Sequence, residues 1–139
     1  MKFLRFFWKT ILWGTIVIML SLMKQEALPH ISMFEFPNFD KIVHFIMYFV
    51  FATLLIHDFL HYSKIKLKHW QIIATSIIIV VGYGGFLEIL QRIPSLHRST
   101  DFFDFLANTS GAIVASITFR FFEPLLTRID SLFVRSRSN

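Results

Sequence analysis

The sequence contains no cysteine and few charged residues, and both shortages narrow the classes of protein to which it can belong. Without cysteine there can be no disulfide, thiolate metal site, cysteine nucleophile or lipoprotein acyl anchor. Charged residues make up only 17% of the 139 residues, whereas a soluble domain carries about 25%. Hydrophobic residues make up 55%, and the mean hydropathy is +0.59. This composition is typical of a membrane protein.

The apolar residues are grouped into blocks that are long enough to cross a bilayer. A transmembrane helix needs about 20 mostly apolar residues. Such blocks lie at about residues 6–23, 41–60, 70–90 and 102–122. In lipid every backbone N–H and C=O must be bonded internally, and a helix does this within one segment. We therefore predict an all-α fold, a four-helix transmembrane bundle that forms a single membrane domain over residues 1–139.

The first block has an alternative interpretation as a secretory signal peptide. It begins with Lys2, Arg5 and Lys9 and continues into an apolar stretch. The segment that follows, LMKQEAL at residues 22–28, lacks the small-x-small pattern of a cleavage site. We therefore favour an uncleaved span.

The Lys and Arg residues that give the chain its net charge of +5 lie at the ends of the spans. They therefore predict the orientation of the protein in the membrane rather than nucleic-acid binding. Ten of the 14 Lys and Arg residues flank one side of the predicted bundle, and four flank the other. The larger group comprises Lys2, Arg5, Lys9, Lys64, Lys66, Lys68, Arg120, Arg128, Arg135 and Arg137. The smaller group comprises Lys24, Lys41, Arg92 and Arg98. Because positive residues favour the cytoplasm, both termini and the middle loop are predicted to lie there.

The segment after the fourth block has the pattern of an amphipathic helix. Pro124 suits the first turn of a new helix. The apolar residues that follow it recur on one helical face. They are Leu125, Leu126, Ile129, Leu132 and Phe133. This pattern predicts a C-terminal amphipathic helix on the inner leaflet, with a frayed tail as the alternative.

The polar residues at the inner ends of the spans are predicted to lie at the membrane surface or in a loop. The ammonium of Lys9 is expected to extend to the inner surface. His57 and Asp58 are expected at the interface, and His61 is expected in a solvated loop. No polar path is then predicted to reach the inner ends, which argues against transport.

The predicted topology brings polar residues from three separate spans to the outer membrane face. The second span contributes Asp40, Lys41, His44 and Tyr48; the third contributes Glu88, Gln91 and Arg92; the fourth contributes Arg98, Asp101, Asp104 and Asn108. A charge at the bilayer centre costs at least about 2.5–3.5 kcal/mol. Glu88, Asp104 and Asn108 are therefore predicted to face other helices or a wet cavity. A small-residue series of Ala107, Gly111 and Ala115 would allow close helix contact.

These residues resemble the VanZ-like family of bacterial membrane proteins. The matching motifs are Asp40-Lys41-x-x-His44-x-x-x-Tyr48, Glu88-x-x-Gln91, and Arg98 followed by Asp104-x-x-x-Asn108-x-x-Gly111. The resemblance covers about residues 40–115. It implies a small multi-helix membrane protein associated with resistance to the glycopeptide teicoplanin, with no settled biochemical mechanism. Many relatives have an acidic residue before Glu88, where this chain has Leu87, so the resemblance does not imply paired carboxylates there.

Three interpretations of the outer polar residues remain open. The first is a binding site for a lipid or a lipid-linked cell-envelope molecule, formed by Asp40, Lys41, His44, Tyr48, Glu88, Gln91, Arg98, Asp104 and Asn108. In it, Lys41, Arg92 and Arg98 would hold phosphate groups. The second is a membrane-embedded enzyme, with His44, Glu88 or Asp104 as acid–base candidates, although the sequence has no HExxH or GxSxG motif. The third is a structural bundle in which these residues only join the helices.

The expected partners are membrane lipids, with a lipid-linked cell-wall precursor as a further candidate, and no nucleic acid. The sequence predicts no cofactor and no dedicated metal site, although one His with two carboxylates could in principle hold a divalent ion. The expected location is the bacterial cytoplasmic membrane, crossed several times. The oligomeric state is left open.

Overall fold

The computed structural model describes residues 6–23, 38–62, 64–92 and 102–135, and side chains within these ranges up to Leu132. These residues form four helices: α1 (Trp8–Leu22), α2 (Phe39–His61), α3 (His69–Gln91) and α4 (Phe102–Arg135). No strand occurs within the described ranges. The predicted all-α fold with four helices is confirmed.

The helices differ in how well their lengths suit a bilayer. α2, α3 and the part of α4 from Phe102 to Leu132 are long and apolar enough to cross a membrane. α1 is apolar but has only 15 residues. At 1.5 Å per residue it spans about 22 Å, which is less than the ~30 Å hydrocarbon core. The structure therefore shows three helices of spanning length and a shorter apolar one.

α2 is the central helix of the bundle. It shares its largest interface with α4 and also packs against α3 and α1. Its second half is buried on nearly all sides, from Phe51 to Asp58. Its neighbours each bury only one stripe of residues at steps of three and four, as expected for helices packed on one side. On α4 this stripe consists of Asp104, Asn108, Gly111, Ala112, Ala115 and Phe119.

The opposite helix faces expose large apolar side chains. Ile78 on α3 is 71% exposed and Ile117 on α4 is 70% exposed. A soluble protein would leave such a surface in contact with water, whereas lipid tails solvate it as well as a protein core does. The exposed faces therefore agree with a membrane environment.

The small residue Gly111 sets the closest approach between α2 and α4. A Cβ at this position would collide with the backbone carbonyl oxygen of Phe45 and crowd the backbone nitrogen of Phe49. Ala115, one turn further along, is fully buried. Gly111 and Ala115 of the predicted small-residue series therefore lie at a helix interface, and at Gly111 the two backbones are in contact.

α1 and the residue before it contact the bundle through both polar and aromatic side chains. Trp13 Nε1 donates to the Met47 carbonyl at 2.9 Å, and the Tyr83 hydroxyl donates to the Gly14 carbonyl at 2.6 Å. The ring of Phe7 packs edge-on against Phe59, with the centroids 5.6 Å apart. These contacts place α1 antiparallel to α2 and parallel to α3.

α4 departs from the prediction at its C-terminal half. A new helix was expected to begin at Pro124, but α4 passes through Pro124 and continues to Arg135. Its 34 residues correspond to about 51 Å, well over the thickness of a hydrocarbon core. The segment is therefore helical rather than frayed, and it extends the fourth span instead of starting a separate helix.

Polar side chains concentrate at the two ends of the bundle. One end, called the His44 end, contains His44, Glu88 and Asn108. The other, called the His57 end, contains His57, Lys9 and Asp130. Along α2 the two ends are separated by the buried apolar residues Phe51, Ala52, Leu55 and Ile56.

Candidate functional site

The candidate site at the His44 end is built from three helices. His44 lies near the start of α2, Glu88 near the end of α3, and Asn108 in the second turn of α4. All three side chains lie on the buried stripes of their helices. α2 packs antiparallel to α3 and parallel to α4, and this arrangement brings these sequence-distant residues to one level. We call them, together with Lys41 and Asp104, the His44 cluster.

Asn108 joins the other two helices through its side-chain amide. Its Oδ1 lies 3.0 Å from Nδ1 of His44, and its Nδ2 donates to Oε1 of Glu88 at 3.5 Å. Because Nδ2 is the donor toward Glu88, Oδ1 is left to accept from His44, which places a proton on Nδ1 of the imidazole. The residues are only 3%, 7% and 1% exposed for His44, Glu88 and Asn108. The result is a buried chain of hydrogen bonds across α2, α4 and α3.

Charged residues form the more open rim of the cluster. The ammonium of Lys41 lies 3.3 Å from Oδ2 of Asp40 and 3.7 Å from Oδ1 of Asp104. The Lys41 side chain is 24% exposed and the Asp40 side chain 52% exposed, whereas Asp104 is buried. Lys41 therefore stands between an exposed carboxylate and a buried one.

Tyr48 completes the inner wall of the site. It is 1% exposed, and its ring packs against Gly84 so closely that a Cβ on Gly84 would lie 2.8 Å from Cε1. The same Cβ would lie 3.3 Å from Nδ2 of Asn108. Gly84 therefore provides the space in which Tyr48 and Asn108 sit side by side.

Gln91, also predicted as a site residue, stands apart from this arrangement. Nε2 of Gln91 donates to the backbone carbonyl of Ser21 at 2.6 Å, so this side chain fastens α3 to α1. Arg98, the other predicted site residue, lies outside the described residues, as does Asp101. Arg92 follows the last residue of α3 and is exposed. Of the nine predicted binding residues, the structure thus brings together Asp40, Lys41, His44, Tyr48, Glu88, Asp104 and Asn108.

Metal coordination was one variant of the enzyme hypothesis. Within the residues that the structure describes, no three His, Asp or Glu side chains come together in a way that could hold a metal ion.

A second polar cluster, at the His57 end, was not predicted. His57 and Asp58 were expected at the interface, but each is only 1% exposed. The Lys9 ammonium was expected to reach the surface, but it forms an ion pair with Asp130 at 2.6 Å and lies 3.6 Å from Oδ1 of Asp58. We call Lys9, His57, Asp58 and Asp130 the His57 cluster. The argument against transport was that no polar residues reach these helix ends, and the presence of this cluster removes that argument.

A sequence signal for this cluster was available. Lys9 and Asp58 are opposite charges, and the predicted topology places both inside apolar blocks at the same end of the bundle. Buried charges in membranes pair with one another. The third partner, Asp130, could not be anticipated, because a break at Pro124 would have turned it away from the bundle.

The helices and their apolar surfaces define a helical membrane protein. A family model described as VanZ/LLP1 matches residues 2–123, most of the chain, and the protein belongs to this family. The match extends on both sides of the residues 40–115 on which the resemblance was based, and it includes α1. No curated protein and no solved structure gives a significant match.

Proposed function

We propose that this VanZ/LLP1 membrane protein uses the His44 cluster to bind the polar headgroup of a lipid or of a lipid-linked cell-envelope molecule. The observation that carries the proposal is that the exposed rim and the buried chain follow one another on the same helices, with Lys41 three residues before His44 and Asp104 four residues before Asn108. Lys41 and Asp40 are accessible, Asp104 lies beneath Lys41, and His44, Asn108 and Glu88 are linked to one another in the interior. Structural pairing alone does not require a partly exposed cation beside a buried acidic residue.

The chemistry of the rim favours a headgroup that contains phosphate. A phosphate oxygen could replace the exposed Asp40 carboxylate as the partner of Lys41, at small cost because exposed ion pairs contribute only about 0–1 kcal/mol. A charge-assisted hydrogen bond to phosphate is about twice as strong as a neutral one. The buried acceptors Glu88 and Asp104 would then orient hydroxyl or amine groups of the same molecule.

The proposed setting is the outer face of the bacterial cytoplasmic membrane. The Lys and Arg distribution supports a cytoplasmic location for the termini and the α2–α3 loop, and in this orientation the His44 end faces outward. α1 would make a fourth crossing, in which Phe6 and Phe7 before it and Met23 after it lengthen the apolar segment. Binding an envelope molecule at this face would alter susceptibility to teicoplanin, which acts on precursors outside the membrane.

Binding can be tested with the full-length protein in phosphatidylcholine nanodiscs, using a polyprenyl phosphate as the probe and the free polyprenol as its uncharged counterpart. We expect the phosphate to bind more tightly than the polyprenol. Lys41→Gln should weaken phosphate binding about tenfold, since loss of a charged hydrogen bond costs about 1.5–3 kcal/mol. His61→Gln, at the opposite end, is the matched control and should leave the affinity unchanged. Equal binding of both probes, or an unchanged affinity in Lys41→Gln, would contradict the proposal.

A cellular measurement tests the consequence for glycopeptides separately. Cells that produce the wild-type protein should differ in teicoplanin susceptibility from cells that produce Glu88→Gln at the same membrane level. If the purified protein binds the phosphate probe but susceptibility does not change, the binding proposal stands and the link to teicoplanin fails.

A further inference from the structure

The His57 cluster contains a buried imidazole that has no hydrogen-bond partner among the residues that the structure describes. His57 is 1% exposed, and neither Nδ1 nor Nε2 forms a hydrogen bond with any described residue. A neutral imidazole carries one N–H donor and one acceptor, and leaving both unsatisfied in the interior is costly. Histidines that serve only as core packing residues normally satisfy at least one nitrogen. The geometry of this site therefore calls for a ligand or a change of charge.

The neighbours of His57 indicate which charge would be stable there. Nδ1 lies 3.6 Å from Oδ1 of Asp58 on its own helix and 3.8 Å from Oδ2 of Asp130 on α4. It therefore points between two carboxylates. Within the described part of the chain Oδ1 of Asp58 also has no hydrogen-bond partner, while its Oδ2 accepts from the hydroxyl of Thr10 at 2.6 Å. A proton on Nδ1 would have two acidic oxygens to approach.

The charge balance of the cluster leads to the same conclusion. Asp58 and Asp130 contribute two negative charges, and Lys9 on α1 contributes one positive charge. With a neutral His57 the cluster carries a net charge of −1, which is unfavourable in a weakly polarisable interior. One proton on His57 makes the cluster neutral. Among the described residues, no ion pair joins α3 to it.

The remaining charged groups near His57 form a separate, more exposed pair. The ring of His61 stacks on that of His57, with the centroids 4.3 Å apart, and its Nε2 lies 3.8 Å from Oε1 of Glu123 on α4. Both side chains are substantially exposed, at 36% and 42%. Solvent screens their charges, so this pair supplies a control for the buried one.

We propose that the His57 cluster is a proton-binding site that fastens the C-terminal half of α4 to the bundle. Protonated His57 attracts Asp130 as well as Asp58 and holds α4 against α2. When His57 loses its proton, Asp130 retains only Lys9, and the segment beyond Pro124 is held less firmly. Histidine changes charge between about pH 5 and 8, so attachment is strong at the acidic end of this range and weakens as pH rises.

The absence of native cysteine allows a direct measurement of this attachment. Spin labels on Lys64→Cys, just after α2, and Leu132→Cys, on α4, would report the distance between the two helices. Both positions are exposed. In nanodiscs the short-distance population should fall about threefold or more between about pH 5.5 and pH 8. A distance distribution that does not change with pH would overturn the proposal.

Substitutions identify the group responsible for the pH dependence. His57→Gln and Asp130→Asn should each abolish it; the second is the safer variant, because the Asp130 side chain is 35% exposed and its loss is less of a threat to folding. His61→Gln and Glu123→Gln should retain it. Persistence of the pH dependence in Asp130→Asn, or its loss in His61→Gln, would assign the effect to another group and refute the proposal.

A spectroscopic titration provides an independent readout. The histidine ring signal that disappears in His57→Gln should shift over about pH 5–8 in the wild-type protein. A ring signal that keeps one protonation state throughout this range would also refute the proposal.

Discussion

Oδ1 of Asn108 lies 3.0 Å from Nδ1 of His44, while the other end of the same amide reaches Glu88. An amide suits this position because it offers an acceptor to one neighbour and a donor to the other. Asp in its place would offer two acceptors and meet the carboxylate of Glu88. Ala would offer neither group.

Replacing Asn108 should therefore destabilise the bundle. For Asn108→Ala we expect a loss of about 1–3 kcal/mol, since buried partners lose their hydrogen bonds, although such bonds averaged only about 0.6 kcal/mol in one membrane protein. Ser110→Ala is the matched control on the exposed face of the same helix, where the hydroxyl bonds only to the Ala107 carbonyl. Thermal unfolding in detergent would compare them. Equal melting temperatures for the two variants would show that the amide contributes little to stability.

Adding a side chain at Gly111 should destabilise the packing of α2 against α4. In Gly111→Ala the new Cβ would collide with the Phe45 carbonyl oxygen, and because this is backbone, α2 and α4 must move apart. Overpacking of this kind typically costs about 1–3 kcal/mol. Gly82→Ala is the control, since its Cβ would meet nothing within 4 Å, and the helix propensity of Ala is better by about 1 kcal/mol.

The comparison is made by unfolding both variants in the same detergent. Gly111→Ala should unfold more readily than the wild type, and Gly82→Ala should match or exceed it. If Gly111→Ala were as stable as Gly82→Ala, the close approach of α2 and α4 would not be the reason for glycine at this position.

Much of this arrangement follows from the sequence, because apolar blocks and helical spacing are local properties. The steps from Asp104 to Asn108 and Gly111 place them on one face of any helix, so the buried stripe of α4 could be predicted. Bringing His44 near Glu88 required only antiparallel packing. Gln91 shares its helical face with Glu88, but its contact with the Ser21 backbone depends on where α1 packs, and nothing in its own motif specifies that.

The C-terminal half of α4 shows why other features could not be predicted. Proline usually ends or kinks a helix, because it lacks an N–H and its ring crowds the preceding turn. Here α4 continues past Pro124, and the ion pair between Asp130 and Lys9 holds the continued helix on the bundle. A tertiary contact between two residues more than 100 positions apart in the chain thus prevails over the local tendency of proline to end a helix.

Lys9 should be important for stability in spite of its charge. In Lys9→Met the buried carboxylate of Asp58 loses its cation, and breaking a buried pair in this way costs about 3–5 kcal/mol. Combining Lys9→Met with Asp58→Asn removes both charges and should restore part of the loss. Lys64→Met, in the exposed loop, is the control and should change stability by less than about 0.5 kcal/mol. Unfolding measurements that show no recovery in the double variant would mean that Lys9 acts through packing of its methylene chain rather than through its charge.

The proposed orientation predicts opposite labelling of the two bundle ends in intact cells. Asp40→Cys lies at the exposed rim of the His44 cluster, and Lys66→Cys lies in the loop between α2 and α3; both positions are exposed. A membrane-impermeant maleimide should therefore label Asp40→Cys in intact cells, whereas Lys66→Cys should react only after the membrane is opened, because positive loops remain in the cytoplasm. The cysteine-free wild type provides the background. The reverse pattern would place the His44 cluster in the cytoplasm, and a role in binding envelope molecules outside the membrane would then be untenable.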